Sequence, residues 1–175
     1  MNGRALCAAA LAAWLALAVP AGTSRAAGSE GVRPLSSFPR ERIAVETRSA
    51  RRHLFEAWRA DTYQTRAQGL IFVPHLGADQ AMIFVYEPAQ YASMWMKNTL
   101  IPLDMLFVDS GGCVVKVHER ARPGDLSTIK ANVPVALVVE LAGGTAATLG
   151  LAKGDRVVRT DAGWPRNPRP CTPLH

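Results

Sequence analysis

Several residue patterns that usually indicate an activity are missing from this chain of 175 residues. Its three cysteines form no Cys-x-x-Cys pair and show no Cys/His ligand spacing, so neither a structural zinc site nor a dithiol redox motif is expected. The sequence contains no phosphate-binding loop, no serine or cysteine nucleophile motif and no paired metal-ligand helix motif. After residue 19 no apolar run is long enough to cross a bilayer. We therefore expect no metal, no cofactor and no catalytic machinery of a kind that sequence motifs reveal.

Clustered positive charge is also missing, although the chain carries 20 basic and 14 acidic residues. Apart from Arg48, Arg51 and Arg52 the basic side chains are scattered, and this group has the composition of a solvated turn. Nucleic-acid binding usually needs a continuous basic face with stacking aromatics. The sequence therefore predicts no nucleic-acid partner.

The N-terminal segment has the three-part pattern of a secretory signal peptide. Arg4 precedes an uncharged apolar run over residues 5–19, and small residues follow it. This run is short for a transmembrane helix, which needs about 20 residues. We expect residues 1–27 to be a signal peptide that is removed. The mature protein would then be periplasmic or secreted, with no stable membrane span.

Composition divides the rest of the chain into three parts. Residues 28–40 are rich in Gly, Ser and Pro and are expected to form a flexible linker. Residues 162–175 contain four prolines and predict an extended tail. Between them, residues 41–161 are long enough for one β-rich domain with its own core.

Short apolar or alternating segments, separated by Gly, Pro and Asp turns, dominate residues 41–161. The segments "IAVET" (43–47) and "HLFEAWRA" (53–60) predict a first hairpin, and "DSGG" (109–112) predicts the turn of another. "VPVALVVEL" (133–141) predicts a strand buried on both faces. About eight short strands favour a mainly β fold that is a β-sandwich, jelly-roll-like or barrel-like.

Two short helices are expected within this β domain. "TYQTRAQ" follows Asp61 or Thr62 as N-cap and ends at Gly69. "GGTAATLG" offers Thr145 as N-cap and Gly150 as its end. Two helices of this length are too few to cover a parallel sheet, which argues against a βαβ fold.

The most crowded stretch is "SMWMKNTLIPLDMLFV", residues 93–108. Strand periodicity places Trp95 and Lys97 on one face of the strand and Met94 and Met96 on the other. An antiparallel pairing with Lys97 opposite Asp104 makes every cross-strand contact chemically sensible. The other pairs in this register are Met96 with Met105, Trp95 with Leu106, and Met94 with Phe107. We predict a hairpin with buried methionines and an exposed Lys97–Asp104 ion pair.

Two functional interpretations of the same stretch remain open. Trp95, Lys97, Asn98 and Asp104 would line a pocket for a small polar ligand, a sugar or an anion, because they offer a flat stacking surface, donors and an acceptor. Alternatively, methionine thioethers near His118 would suit Cu(I). Methionines on a strand face are far more often core residues.

Further titratable residues lie outside this stretch. His118 and Glu119 end a strand beside a loop of about a dozen residues, and such a pair suits acid–base chemistry. Glu140 interrupts an apolar strand, so it needs either an exposed edge or a partner such as Lys97 or Lys116.

The stretch "SMWMKNTLIPLDMLFVDSGGCVVKVHE" resembles the domain of unknown function 192 family. The resemblance extends upstream through "TYQTRAQGLIF" and "MIFVYEPAQ" and downstream through "VPVALVVELAGGTAATLGLAKGDRV", about residues 53–159. Its W-M-K-N-T-x-I-P-L-D motif, Trp95 to Asp104, is highly specific. The resemblance implies a small, mostly β fold of the sandwich or jelly-roll kind that is often exported. It implies no activity, and no catalytic residue is carried over.

Cys113 and Cys171 are the two cysteines that remain once the signal peptide is gone. In an oxidising compartment we expect them to bridge, although a tail cysteine would serve an intermolecular bond equally well. The sequence thus favours an exported binding or interaction module for an unknown small polar ligand or envelope component. The alternative is a hydrolase or lyase acting on a carbohydrate or cell-envelope substrate through Asp104, His118 or Glu119.

Overall fold

The computed structural model describes residues 31–171. The predicted signal peptide, the first three residues of the predicted linker and the last four residues of the tail lie outside this range. Within it, none of the helices has the length and apolar character that crossing a bilayer requires.

The described residues form a mainly β fold with two short α-helices, as the sequence predicts. A 3-10 turn over Leu35–Ser37 precedes the first strand. The elements are β1 Arg40–Glu46, β2 Arg52–Ala60, α1 Tyr63–Gln68, β3 Gln80–Gln90, β4 Ser93–Met94, β5 Leu103–Val108, β6 Val114–Ala121, β7 Ile129–Lys130, β8 Val135–Ala142, α2 Thr145–Leu149 and β9 Arg156–Arg159.

Seven of the strands form one sheet in the order β6-β5-β8-β3-β2-β1-β9, and β4 pairs with β7 apart from it. Only β2 and β3 run parallel among these pairs. The sheet curls until its two edges approach each other. Cys113, just before β6, forms an isolated antiparallel bridge with Arg156 at the start of β9, and Val157 donates its N–H to the Gly112 carbonyl at 2.8 Å. The architecture is therefore a barrel-like curl.

Apolar side chains fill both faces of this curled sheet. The inner cluster takes residues from all seven strands, among them Ile43, Phe55, Ile83, Leu106, Val114, Leu137 and Val157. The outer cluster joins the opposite face of β3, β5 and β8 to the segments around α1, β4 and β7, and it includes Met82, Phe84, Tyr86, Met94, Met96, Met105 and Val138. Strand alternation explains this division, because successive side chains point to opposite faces.

β8 lies between β3 and β5 and is buried along almost its whole length. Val139 and Leu141 belong to the inner cluster and Val138 to the outer one. Glu140 therefore faces the outer cluster, where Met82 and Met105 are its neighbours in cross-strand register. The fold places a carboxyl group inside an apolar layer.

The predicted hairpin between residues 93–98 and β5 is wrong. β4 pairs with β7, while β5 lies between β6 and β8, so Lys97 is not opposite Asp104. The chain leaves the strand direction after Met96, since Asn98 has a φ of 57° and the Thr99 N–H donates to the Met96 carbonyl at 3.0 Å. The predicted alternation itself is correct.

α1 begins as the sequence predicts. Thr62 is its N-cap and forms a reciprocal capping box with Thr65. Gly69 ends the helix with a φ of 51°, and a Cβ atom there would lie 3.0 Å from the Phe84 ring. Glycine is needed at this position for both its backbone conformation and its closeness to β3.

α2 begins differently from the prediction. Its N-cap is Gly144 rather than Thr145, and no side chain of the cap residue satisfies the first N–H groups. A carboxylate from a distant strand, Asp104, accepts them instead.

The tail is attached to the sheet. Cys113 and Cys171 form the expected disulfide, with their Cα atoms 5.3 Å apart, and Trp164 bridges to Arg159 of β9. At the other end of the domain, Phe38 of the predicted linker is buried in the outer cluster. β1 begins at Arg40, one residue before the predicted domain boundary.

Candidate functional site

A groove of about 290 Å³ lies on the outer layer beside β4, and we call it the Trp95 groove. Its walls come from α1, the end of β3 and β4. The lining residues are Tyr63, Arg66, Ala67, Tyr86, Gln90, Tyr91, Ala92, Ser93, Met94 and Trp95.

Local structure fixes both walls of the Trp95 groove. Tyr63 and Arg66 are three residues apart on α1 and therefore share a helix face. On the opposite wall, buried Met94 anchors β4 while Trp95 points outward. The backbone of Met96 then donates to Asp125 at 2.9 Å and accepts from Gly124 at 3.0 Å. These bonds hold the segment after β4 that presents Trp95.

Three large aromatic side chains of the groove are exposed to solvent. The exposed fractions are 78% for Tyr63, 70% for Tyr91 and 54% for Trp95. Side chains of this size contribute most to stability when buried. Three of them at one groove form an apolar surface of the kind that marks binding sites.

Two cations flank these aromatic rings. The Lys97 ammonium lies 5.5 Å from the centre of the Trp95 ring, and the Arg66 guanidinium lies 5.2 Å from that of Tyr86. Arg66 is held in place because its Nη1 donates to the carbonyls of Asp61 and Val85 at 2.7 and 3.0 Å. No carboxylate lines the groove, so its local charge is positive.

A narrow cavity of about 30 Å³ adjoins the groove and ends at Glu140; we call it the Glu140 pocket. Arg66, Ala67, Met94 and Trp95 line both cavities. The remaining walls of the pocket are formed by Gln68, Gly69, Leu70, Ile71, Phe84, Lys97, Thr99 and Glu140.

Glu140 is 3% exposed and Thr99 is 7% exposed. Within residues 31–171, neither the Glu140 carboxyl nor the Thr99 hydroxyl has a hydrogen-bond partner, and Glu140 has no ion-pair partner. Burial raises the pKa of the Glu140 carboxyl from 4.5 to about 8, because a low-dielectric environment disfavours its charged form. At neutral pH this group is therefore an uncharged acid that both donates and accepts.

Tyr86 lines the Trp95 groove but not the Glu140 pocket. Its hydroxyl donates to the Met94 sulfur at 3.6 Å. Burial raises the pKa of Tyr86 to about 12, an effect that Arg66 opposes and Glu140 reinforces. Tyr86 is therefore a neutral wall of the groove across the physiological pH range.

The structure brings only part of the predicted site together. Trp95 and Lys97 lie at the groove and the pocket. Asn98 is exposed but occupies a left-handed turn position, where its carbonyl accepts from the Phe72 N–H at 2.9 Å. His118 and Glu119 lie on the edge strand β6 and line neither cavity.

Asp104 is fully buried and serves the backbone. Its Oδ1 accepts from the Arg120 N–H at 2.8 Å, and its Oδ2 accepts from Gly144 and Ala146 at 2.9 and 2.7 Å. These bonds tie β5 to β6 and to the start of α2. Asp104 thus satisfies orphan helix donors rather than facing a cavity.

Sequence reasoning missed Tyr63, Arg66 and Tyr91, and it did not anticipate that Glu140 stays uncharged at neutral pH. The spacing of Tyr63 and Arg66 on a correctly predicted helix was the available signal for the first two. Glu140 was recognised as costly, but the suggested partners do not reach it: Lys97 stacks on Trp95, and Lys116 donates to the Lys130 carbonyl.

Metal ligation finds no support in the described part of the chain. No group of three or more His, Cys, Asp or Glu residues between residues 31 and 171 is arranged to hold a metal ion. A shallower depression of about 570 Å³ lies at the tail, lined by Glu87, Ser110, Gly111, Trp164, Arg166, Asn167 and Arg169. Apart from Gly111, all of its lining residues are exposed or half-buried.

The fold and site define a small barrel-like β protein with a cationic aromatic groove on its outer layer. The chain belongs to the DUF192 family, described as "Uncharacterized ACR", whose model matches residues 44–159. It is 39% identical to a putative transcription regulator from Sinorhizobium meliloti 1021, covering 69% of this chain and 94% of that one with a TM-score of 0.68.

A second solved structure, a protein of unknown function from Novosphingobium aromaticivorans DSM 12444, is 38% identical. The match covers 72% of this chain and 89% of that one, also with a TM-score of 0.68. No curated protein matches this sequence.

Proposed function

We propose that this protein is an exported binding module whose Trp95 groove holds an acidic saccharide, such as a uronic-acid unit of a cell-envelope or extracellular polysaccharide. The observation that carries the proposal is the exposure of three aromatic rings in a groove whose charged side chains are all basic. The aromatic rings indicate one property of the ligand, and the basic side chains indicate another.

The three exposed aromatic rings favour a flat, partly apolar ligand. A pyranose ring has an apolar face of C–H groups and a polar rim of hydroxyls. Tyr and Trp offer rigid amphipathic surfaces at a small cost in conformational entropy. Tyr63 and Tyr91 with Trp95 therefore suit a sugar better than a fully hydrated inorganic anion, which has no apolar face.

The two basic side chains at the groove, Arg66 and Lys97, favour a ligand that carries a negative charge. Lys97 forms no ion pair with a described carboxylate. Arg66 donates to two backbone carbonyls through Nη1 alone. A guanidinium carries five N–H donors, so Arg66 has others for a ligand. The chain as a whole has a formal net charge of +6, and +4 is left once the predicted signal peptide with Arg4 and Arg25 is removed. An anionic ligand would thus be attracted at long range and paired at the groove.

Export is supported by the Cys113–Cys171 disulfide, since such bonds persist in oxidising compartments. It is also supported by the signal-peptide pattern of residues 1–27. Binding is favoured over the hydrolase or lyase alternative because Asp104 is occupied by backbone donors and His118 lies away from the groove. A glycoside hydrolase usually works with a pair of carboxyl groups, and Glu140 is the one carboxyl group among the described residues that lines either cavity.

The relative from Sinorhizobium meliloti carries a regulatory name, but a nucleic-acid role is less consistent with this groove. Single-strand binding needs a positively charged track for successive phosphates. Here Arg66 and Lys97 are the only charged side chains among the described residues that line the two cavities, apart from Glu140.

The test is calorimetric titration of the protein with glucuronate, galacturonate and their short oligomers, beside glucose and galactose. We expect millimolar or tighter binding of an acidic sugar, weak or no binding of its neutral parent, and weakening by added salt. Trp95→Ala should weaken binding about tenfold or more, as hot-spot aromatics do. It should cost at most about 1 kcal/mol of stability, because surface changes usually cost little.

Lys97→Gln should weaken binding and reduce its salt dependence, whereas the matched control Lys130→Gln, on an exposed lysine outside both cavities, should change neither. If no acidic sugar binds at millimolar concentration, the proposed function is refuted. Equal binding by wild type and Trp95→Ala would refute the site.

A further inference from the structure

We infer that the Glu140 pocket is the specificity subsite of the Trp95 groove, where one hydroxyl group of the bound sugar enters and pairs with the carboxyl of Glu140 and the hydroxyl of Thr99. This inference rests on the proposed function and adds to it a position in the ligand that must carry a hydroxyl. It also assigns to Glu140 and Thr99 the role of recognising the hydroxyl at that position.

The pocket has the size of a single polar group. Its volume of about 30 Å³ exceeds the ~10–15 Å³ that a cavity needs to hold one water. A sugar hydroxyl has nearly the same size as water and the same donor and acceptor capacity. A ligand hydroxyl would therefore replace the hydrogen bonds of a water at this place without loss.

Two largely buried polar residues line this space. Glu140 and Thr99 are each more than nine-tenths buried, and no described residue hydrogen-bonds to either side-chain group. Their polar atoms are not fully enclosed, because His53 Nε2 is the one fully enclosed polar side-chain atom without a partner within residues 31–171. Buried polar groups are normally paired. The Glu140 carboxyl faces methionines and a phenylalanine, and nothing in the described fold pairs with it. Its presence here points to an outside group that enters the pocket.

Charge explains why a hydroxyl, rather than an ammonium group, is the preferred occupant. The charged and titratable side chains that face Glu140 are Arg66 from α1, Tyr86 from β3 and Lys97 from the segment after β4; β5 contributes Met105 in cross-strand register. Two cations at the entrance repel an ammonium group. An uncharged Glu140, whose pKa burial raises to about 8, offers a hydroxyl both a donor and an acceptor.

The pocket also sets the ligand's orientation. Trp95 and Arg66 line both the groove and the pocket. A sugar whose hydroxyl reaches Glu140 would thus keep its ring against Trp95 and its carboxylate near the two cations. Sites built to hydrogen-bond a hydroxyl reject analogues that lack it, because their own buried groups are then left unpaired.

The experiment uses the acidic sugar that the wild-type protein binds, together with its monodeoxy analogues. We expect one analogue to bind about tenfold or more weakly, and Glu140→Leu to reduce the affinity of the parent sugar by a similar factor while removing its preference over that analogue. Glu140→Gln keeps a neutral donor and acceptor of the same shape and should stay within about threefold of wild type. Thr99→Val should show a smaller loss in the same direction.

The pH dependence provides a readout that a merely structural role would not alter. Ionised Glu140 would repel an anionic sugar and would lose its own solvation on ligand entry, so wild-type affinity should fall between pH 7 and 9, by at least about threefold. Glu140→Gln should bind with a flat profile over that range. The unfolding midpoint of each variant at the same pH values checks that the site is intact.

The outcomes separate this inference from the proposed function. If the wild type binds and Trp95→Ala does not, but Glu140→Leu binds as tightly as wild type with the same analogue preference, the pocket holds only water and the inference is wrong. If the wild type binds no acidic sugar, the proposed function itself fails.

Discussion

Replacement of Asp104 gives a direct test of how this domain is held together. Asp104 is fully buried on β5, and its two oxygens accept three backbone N–H groups from β6 and the start of α2. The Asp104→Asn variant keeps the shape but leaves one oxygen. That oxygen can still accept from Gly144 and Ala146, while the new amide N–H₂ group then faces the Arg120 N–H, which loses its acceptor.

The expected loss follows from these three bonds. A hydrogen bond to a charged group contributes about 1.5–3 kcal/mol, and a buried donor left without a partner carries a penalty of similar size. Asp104→Asn should therefore destabilise the domain by about 2–4 kcal/mol. Asp104→Ala leaves all three donors without an acceptor and should cost about 4–6 kcal/mol, a large loss of the kind that breaking a buried hydrogen-bond network can cause.

The assay is urea unfolding at neutral pH followed by circular dichroism. Glu46, which pairs with Arg52 at 3.8 Å on the surface and accepts no backbone N–H with its side chain, provides the control, because loss of an exposed ion pair costs about 0–1 kcal/mol. Glu46→Gln should therefore remain close to wild type. An Asp104→Asn variant within 0.5 kcal/mol of wild type, roughly the scatter of an ordinary surface substitution, would refute the role of these three bonds.

A double-mutant cycle tests whether Lys97 takes any part in this network. Since the structure places Lys97 on Trp95 rather than on Asp104, Lys97→Gln and Asp104→Asn should add within about 0.3–0.5 kcal/mol. A coupling energy above about 1 kcal/mol would restore the ion pair that the sequence predicted.

Three further changes test other parts of the domain. The pKa of the Glu140 carboxyl is about 8 in the folded protein and 4.5 in the unfolded chain. The stability that the protonated carboxyl contributes is therefore complete below pH 4.5 and is lost as the pH rises to 8. Urea unfolding should show the wild type losing stability relative to Glu140→Gln by up to about 1.4 kcal/mol per pH unit in this window; parallel curves would contradict the buried acid. Met96→Lys should unfold the domain, because it buries an unpaired charge, and a soluble variant with a native spectrum would show that Met96 is not core. Cys171→Ser should cost up to about 4 kcal/mol for a closed loop of 58 residues, and peptide mapping without reduction should recover the Cys113 and Cys171 peptides linked.

Local signals predicted the parts of this fold that depend on neighbours in sequence. The β1–β2 hairpin and the turn at residues 109–112 join adjacent segments, and α1 carries its capping box within four residues. In each case the residues that determine the structure lie next to one another. Alternation likewise placed Met96 inside and Trp95 outside.

Pairings between distant segments could not be predicted in the same way. The true partner of β4 is β7, and the true partners of Asp104 include Gly144 and Ala146, about 40 residues away. A Lys–Asp match across a short turn favoured the wrong register, since the sequence contains no signal from either distant partner. Burial decided against it: Asp104 lies in the interior and Lys97 on the surface.

Only part of the candidate site was predicted from the sequence, for the same reason. Trp95 and Lys97 are two residues apart in one motif, so the sequence alone indicated that they lie in the same place. The opposite wall comes from α1, and the pocket floor from β8, which only the folded chain brings to the same place. The sequence showed that Glu140 is costly to bury, but not which cavity it faces.

The position of the last strand has a consequence for how the chain reaches this structure. β9 completes the sheet beside β1, the first strand, through pairs such as Ile43 with Arg159. The two strands enclosing the inner cluster at this edge are thus the earliest and latest parts of the domain to be synthesised. Pairing across so long a separation folds slowly. A chain that crosses a membrane with its N-terminus first would have to wait for its final segment before the curl could close. During that interval the edges of β1 and β6 would be open to other chains, and the Cys113–Cys171 bond can form only after that interval ends.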